Sequence, residues 1–418
     1  MKLKHSKDVV PGAIAVLLLA ASCGGSSSTS SGDYDPGCQP ASGNSLNASC
    51  DPGFTQSTPS ANSIEVTFSG ETLGQVGLPF KPVNSGDPVF VDGWNVTFTE
   101  ILTVLGNFHV SPGATQYLTW NQLNPDAATR KGPYVVDMHK PSGFTGADGV
   151  EPAQALFRWT KQDNGEPFDT SQLYAFSYDT MKAQYPVAQV NLTPDQKADY
   201  DLMVSKGWSK LYRGQATYVG TETTAPHQDL FNNFPTTIYF IMGWNDATHY
   251  INCINPNNGN GEEDNLANRG LQTNTNNATV AQVTQHVDHV FWDKLRQEGA
   301  NLRFDPYAAW APANTSPTNP FDMTTLHHPL SALFNDGVTP IPDRTPLQNP
   351  PTGSYTPGEG ASNGNIAFDT NGVPAANVPD IIDFMAFSAQ SQMHLNANGL
   401  CYVVGQNASD PFFNPSVP

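Results

Sequence analysis

Alternation of apolar and polar residues dominates this chain. SIEVTFSGE (63–71) sets Ile64, Val66 and Phe68 against polar neighbours, the period-two signature of a half-buried strand. VFVDGWNVTFTEILTVLGNFHV (89–110) first alternates at Trp94, Val96 and Phe98, then runs mostly apolar from Ile101 to Val110. Further strands are predicted at 134–140, 155–161, 173–180, 215–223 and 236–244. Helical spacing is rarer. TPDQKADYDLMVSKG (193–207) offers Thr193 as N-cap, Pro194 in the first turn and Gly207 at the end. FWDKLRQEG (291–299), again closed by a glycine, and IIDFMAFSAQSQMHL (381–395) predict two more helices. Residues 311–380 are rich in Pro, Asn and Gly, and read as irregular loops packed on a β scaffold. No fixed-period repeat argues for a solenoid or propeller. The fold class that follows is mainly β, an antiparallel sandwich-like domain over 61–418 with long loops and two or three short helices.

Composition supports this. Charged residues are 14% of the chain while Gly and Pro number 35 each, a mixture that suits short strands and many turns rather than a helical bundle. The formal net charge is −19, with no Lys/Arg cluster. Nucleic acid and anionic lipid both need such clusters, so neither is expected as a partner.

The first residues carry an address. Lys2, Lys4 and Lys7 precede an apolar run from Ala13 to Ala21, then small residues and Cys23. The run is too short to span a bilayer and reads as a secretion signal ending in a lipoprotein cleavage site. Residues 1–22 are then the signal peptide, Cys23 the lipidated residue, 23–34 a flexible Ser/Gly tether, and 35–60 a small loop closed by a disulfide. Cleavage removes Lys2, Lys4, Lys7 and Asp8 and leaves 16 basic against 37 acidic residues, a net charge of −21. Gly24 and Gly25, with no Asp after Cys23, favour the outer membrane. Export permits disulfides. With Cys23 lipidated, Cys38, Cys50, Cys253 and Cys401 remain. Three connectivities are open to four cysteines. The preferred one joins Cys38 to Cys50 across a short loop and Cys253 to Cys401, tying the C-terminal tail to the middle of the chain and bringing His249 and His394 near each other.

Full pairing removes thiolates as nucleophiles or metal ligands. No nucleophile elbow, P-loop or zinc-protease motif occurs, so an enzyme is the least favoured class. The sharpest pattern is QVTQHVDHVFWD (282–293), with His286, Asp288 and His289 at a strand-to-helix junction. A strand running through Asp288 would put His286 and Asp288 on one face; an earlier helix would pair His286 with His289 at i, i+3. Imidazole suits copper and zinc, and a carboxylate can complete such a site or orient a ligand from behind. His139 and His109 are the preferred third ligands, because each ends a strand and strand ends hold side chains rigidly. DTNGVPAANVPD (369–380) lacks the later ligands of a calcium loop and reads as an Asx-type turn.

The blocks at 92–110, 135–140, 283–295, 302–309 and 393–401 resemble a group of uncharacterised secreted lipoproteins of deltaproteobacterial type. That resemblance implies an exported β-rich domain and no particular activity. More distantly, the chain resembles the copper-repressible surface proteins of methanotrophic bacteria, which bind copper through histidines and an oxidised tryptophan. No Trp here lies two residues before a His, so only the idea of a histidine-based copper site carries over. Together these readings give an envelope lipoprotein, anchored in the membrane by lipid, that binds copper or zinc for capture, storage or structural stabilisation. The alternative is a metal-free module that binds glycan or an envelope partner through exposed aromatic residues.

Overall fold

Strands account for 36% and helices for 16% in the computed structural model, so the chain is mainly β. The structure describes residues 60–80, 88–115, 124–140, 144–145, 152–220, 228–258, 266–297, 300–344, 361–362 and 364–405. Cys23, Cys38 and Cys50, with the signal peptide, the tether and the small loop, lie outside the described residues.

A five-stranded sheet runs in the order β16 (Met393–Leu395), β12 (Thr279–Gln285), β1 (Ile64–Ser69), β6 (Pro152–Trp159), β5 (Phe144–Thr145). β1 and β12 are parallel, the other pairs antiparallel. A ten-stranded sheet is built on the 19-residue β2 (Trp94–Pro112). One path runs through β9 (Lys210–Tyr218), β10 (Thr237–Trp244) and β13 (Phe321–Asp322). The other runs through β7 (Tyr174–Thr180), β11 (Thr248–Ile251) and β17 (Tyr402–Gly405). β3 (Ala128–Arg130) and β4 (Tyr134–Asp137) also pair with β2, and β8 (Ala188–Gln189) pairs with β4. Two-residue strands β14 (Ala361–Ser362) and β15 (Asn365–Ile366) form a separate pair. Helices are short: α1 (Glu71–Val76), α2 (Lys197–Lys206), α3 (Gln228–Phe231), α4 (Asp305–Ala308) and α5 (Ile381–Ala389).

One apolar core joins the two sheets, as a sandwich requires. Phe157 of β6 meets Phe108 of β2 edge-on, ring centroids 5.1 Å apart. β1 differs from its expectation. All six of its residues are buried, because β12 and β6 flank it and its second face is covered. Buried Glu65 on that strand is matched by Arg158 directly across, at 2.6 Å.

The helix read at 193–207 forms. A 3₁₀ turn at Pro194–Gln196 leads into α2, and the Thr193 N–H donates to Gln196 Oε1 at 2.8 Å. Gly207 closes α2 in the left-handed region (φ +68°), where a side chain would be strained. The helix read at 291–299 does not form. A 3₁₀ turn covers only His289–Phe291, and Trp292 is already extended. Buried Phe291, Trp292 and Leu295 mimic helical spacing, but the backbone is captured by distant partners instead. Arg303 N–H donates to Phe291 O at 3.0 Å and Leu295 N–H to Asp369 O at 3.0 Å. The third helix stops at Ala389, six residues early, where the chain turns into β16. The Asx turn at 369–371 forms, with Asn371 N–H donating to Asp369 Oδ1 at 2.8 Å.

A buried charge network stitches the loops to the sheets. Arg303, fully buried, donates to Asp293 at 3.0 Å and Asp343 at 2.7 Å. Arg344 donates to Asp305, which also accepts from Trp94 Nε1 at 2.8 Å. Asp92 accepts the backbone N–H groups of Phe304 and Asp305 at 2.7 and 2.8 Å.

Cys253 and Cys401 are bonded across a separation of 148 residues. Closing so long a loop stabilises by ~4–5 kcal/mol in the chain-entropy model. Reduction with a denaturant titration, or Cys253→Ser with Cys401→Ser, is expected to lower the unfolding free energy by about that amount; an unchanged midpoint would refute it.

Glu100 on β2 gives a pH prediction. Burial first, then the charges of Asp199 and Asp137, push its carboxyl up from 4.5 to about 9. Over that interval the folded chain keeps a proton that the unfolded chain releases. This group's contribution to stability therefore declines as pH rises from about 4.5 to 9. Glu100→Gln keeps the neutral shape and removes the slope. Its stability relative to wild type is expected to rise between pH 5 and pH 8, by up to ~4 kcal/mol. Parallel pH profiles would count against it.

Candidate metal centre

The three histidines of the candidate centre are placed by backbone pairing. β12 ends at Gln285, and the His286 N–H extends its ladder by donating to Gln392 O at 2.9 Å. The chain then turns through Val287 and Asp288 into the 3₁₀ turn that begins at His289. Neither simple geometry drawn from the sequence applies, since the strand stops before Asp288 and no α-helix follows. The turn nonetheless folds His289 back beside His286, ring centroids 5.3 Å apart. Asp380 caps α5 by accepting from the N–H groups of Ile382 and Asp383, both at 2.9 Å. That helix delivers the chain to β16, where His394 sits opposite Thr284 of β12. The His394 ring stacks on His286 at 4.1 Å and lies 5.8 Å from His289. One ring nitrogen from each of the three lies within 4.8 Å of the others.

Hydrogen bonds assign the tautomers. The Ser391 hydroxyl donates to Ser388 O at 2.7 Å, so its oxygen accepts from His289 Nδ1 at 2.9 Å. Nε2 of His289 then carries the lone pair. His394 Nε2 faces the Ser391 carbonyl at 3.0 Å, which leaves the lone pair on Nδ1. That Nδ1 is buried with no hydrogen-bond partner of good geometry. His286 Nε2 faces two acceptors, Ala397 O at 3.2 Å and Glu71 Oε1 at 3.3 Å, so its lone pair falls on Nδ1. Each imidazole thus has one nitrogen on a fixed protein acceptor, an arrangement common among metal-binding histidines.

Electrostatics keep the rings in the ligating form. Burial is the main cause that holds His289 well below the ordinary imidazole range, with His286, His394 and Lys210 adding to it. Burial and then His286 do the same for His394, and the Ser391 and Asn398 backbones offset this only in part. Both are neutral at neutral pH. His289 and His394 are 1% and 2% exposed, while the His286 side chain at 13% is the route to solvent. Glu71, the carboxylate beside it, has φ +57°, a left-handed conformation unusual for a side chain of its size. Its N–H is held by Ser69 Oγ at 2.8 Å. Below the trio, Trp292 stacks on His289 at 3.7 Å. A polar floor then joins the sheets. Gln392 and Gln285 both donate to Tyr212 OH, at 2.9 and 2.5 Å, and Thr103 donates to Gln285 at 2.7 Å.

The structure brings together two of the sequence candidates, His286 and His289, and supplies His394 as the third. Asp288 turns away. Its Oδ2 accepts from Trp292 Nε1 at 2.9 Å, and burial raises its carboxyl above the ordinary range. His139 ties the loop after β4 to α1 through Gly74 O at 2.8 Å. His109 points into a separate cleft, paired with Asp126 at 2.9 Å. Neither approaches the trio within ligand distance. The disulfide forms, yet His249 and His394 part company. His249 lies on β11 against Asp179, in the other sheet. The signal for His394 is the apolar flanking of MHL (393–395), a short strand read as the end of a helix. No protein-family model, curated protein or solved structure matches the chain.

Proposed function

We propose that this protein is an exported, lipid-anchored envelope protein that holds one transition-metal ion, copper or zinc, on His286, His289 and His394, for capture, storage or structural stabilisation. The observation that carries the reading is the convergence of three imidazoles, one nitrogen each, on rings held by hydrogen bonds to Ser391, Ala397 and Glu71. Three nitrogen ligands with one nearby carboxylate suit borderline ions rather than calcium or magnesium. The disulfide occupies Cys253 and Cys401, so thiolate ligation by them is excluded. The large exposed hydrophobic residues among those described are Val76, Val219 and Val338, which offer no aromatic platform for sugar stacking.

The test is elemental analysis of purified protein incubated with copper or zinc and freed of excess ion. One equivalent per chain is expected, falling to background in His289→Ala. Equal, near-zero metal in both proteins would overturn the proposal.

A further inference from the structure

A carboxylate stands at the solvent edge of the candidate metal centre. Glu71 Oε1 lies 3.3 Å from His286 Nε2, and the two side chains are 18% and 13% exposed. Glu71 is not among the groups whose ligand atoms all lie within 4.8 Å of one another. In this arrangement it is a neighbour of the three imidazoles rather than a fourth ligand, and it acts on them through its charge.

The backbone is bent to place that charge. Glu71 takes φ +57°, a conformation that strains a residue with a long side chain. Three contacts maintain it. Ser69 Oγ accepts the Glu71 N–H at 2.8 Å and itself donates to Pro152 O at 2.7 Å. Gly70 packs so closely on the loop after β4 that a Cβ there would stand 2.7 Å from Met138 O. His139 Nδ1 bonds Gly74 O at 2.8 Å and fastens α1 to the same loop. Strain fixed by its surroundings in this way gathers at functional sites.

The other charges nearby are already committed. Lys210 acts on His289 from the protein interior, but Asp246 faces it at 2.7 Å and both side chains are fully buried, so the pair cancels. Asp288 is turned to Trp292 Nε1 at 2.9 Å. Imidazole ligands bring no negative charge to a bound ion. Glu71, by contrast, faces a member of the trio.

We propose that Glu71 sets the charge of the ion that the centre selects, favouring divalent Zn²⁺ or Cu²⁺ over monovalent Cu⁺. The inference rests on the metal reading above. Coulomb attraction scales with the charge of the ion, so a carboxylate held in one place attracts a divalent ion twice as strongly as a monovalent one. The test compares Zn²⁺ with Cu⁺, two closed-shell ions without ligand-field preference, so that the comparison turns on charge. Affinities are measured on the full chain by competition with chromophoric chelators, without oxygen for Cu⁺. Glu71→Gln is expected to weaken Zn²⁺ binding by about 100-fold and Cu⁺ binding by about tenfold, so the ratio of the two affinities falls by about tenfold. Glu71→Asp keeps the charge and should recover most of that ratio. Equal losses for the two ions in Glu71→Gln would make Glu71 a prop for His286 alone and overturn the inference, as would no loss for either. Those outcomes leave the metal reading standing. Wild-type protein that binds neither ion would overturn both.

Discussion

His394→Ala is expected to weaken metal binding by more than 100-fold, measured by competition with a chromophoric chelator. Loss of an outer-shell partner typically weakens a site by about 10–100-fold, and loss of a ligand removes more than that. Ser391→Ala provides the graded comparison. It deletes the hydroxyl that fixes His289 Nδ1 but leaves the backbone carbonyl that fixes His394 Nε2. A loss in the roughly 10–100-fold range is expected there. His139→Ala should leave affinity unchanged, because that ring is bonded to Gly74 behind α1. A large loss in His139→Ala with none in His394→Ala would move the site away from the trio.

Arg303→Met is expected to destabilise the fold by about 3–5 kcal/mol in chemical denaturation, the usual penalty for stranding buried charge. Two guanidiniums, Arg303 and Arg344, face Asp293, Asp305 and Asp343. Asp92 is kept out of that balance: burial, reinforced by Asp305, pushes its carboxyl up to about 8, so it is mostly protonated at neutral pH. Removing Arg303 leaves Asp293 and Asp343 without their counterion. Burial already lifts Asp293 to about 6, so acid relieves part of the penalty, and the loss should be smaller at pH 5 than at pH 8. Adding Asp293→Asn and Asp343→Asn should restore much of the lost stability. A change below ~1 kcal/mol in Arg303→Met would show that the network is solvated rather than buried.

Local signals carried over from sequence to structure, and distant ones did not. Thr193, Pro194 and Gly207 act on the same few residues they flank, so α2 could be read directly. β2 announced itself through length and alternation. The 291–299 segment misled because Phe291, Trp292 and Leu295 are buried by partners at 302–303 and 369, which no local window contains. Alternation in β1 suggested a wet face, but strands from 152–159 and 279–285 and the cover over its second face removed it. At the site, His286 and His289 are three residues apart and were legible as a pair. His394 joins them only through the register of β16 on β12, a contact that depends on the whole intervening fold. His139 lies just beyond β4, whereas His109 sits inside β2, which runs on to Pro112; the partners of the two rings are Gly74 O and Asp126.

The pairing of β12 with β16 has a consequence for proteolysis. The stretch from Ser391 to His394 supplies an edge strand, one imidazole, and both acceptors that Ser391 contributes. If that stretch peels away, the sheet edge is bare and a bound metal would keep two ligands. An ion that binds only the docked arrangement holds the segment down by mass action. Chelation should then loosen one seam first, and a protease should nick the metal-stripped protein between α5 and β17 before it attacks the sheets.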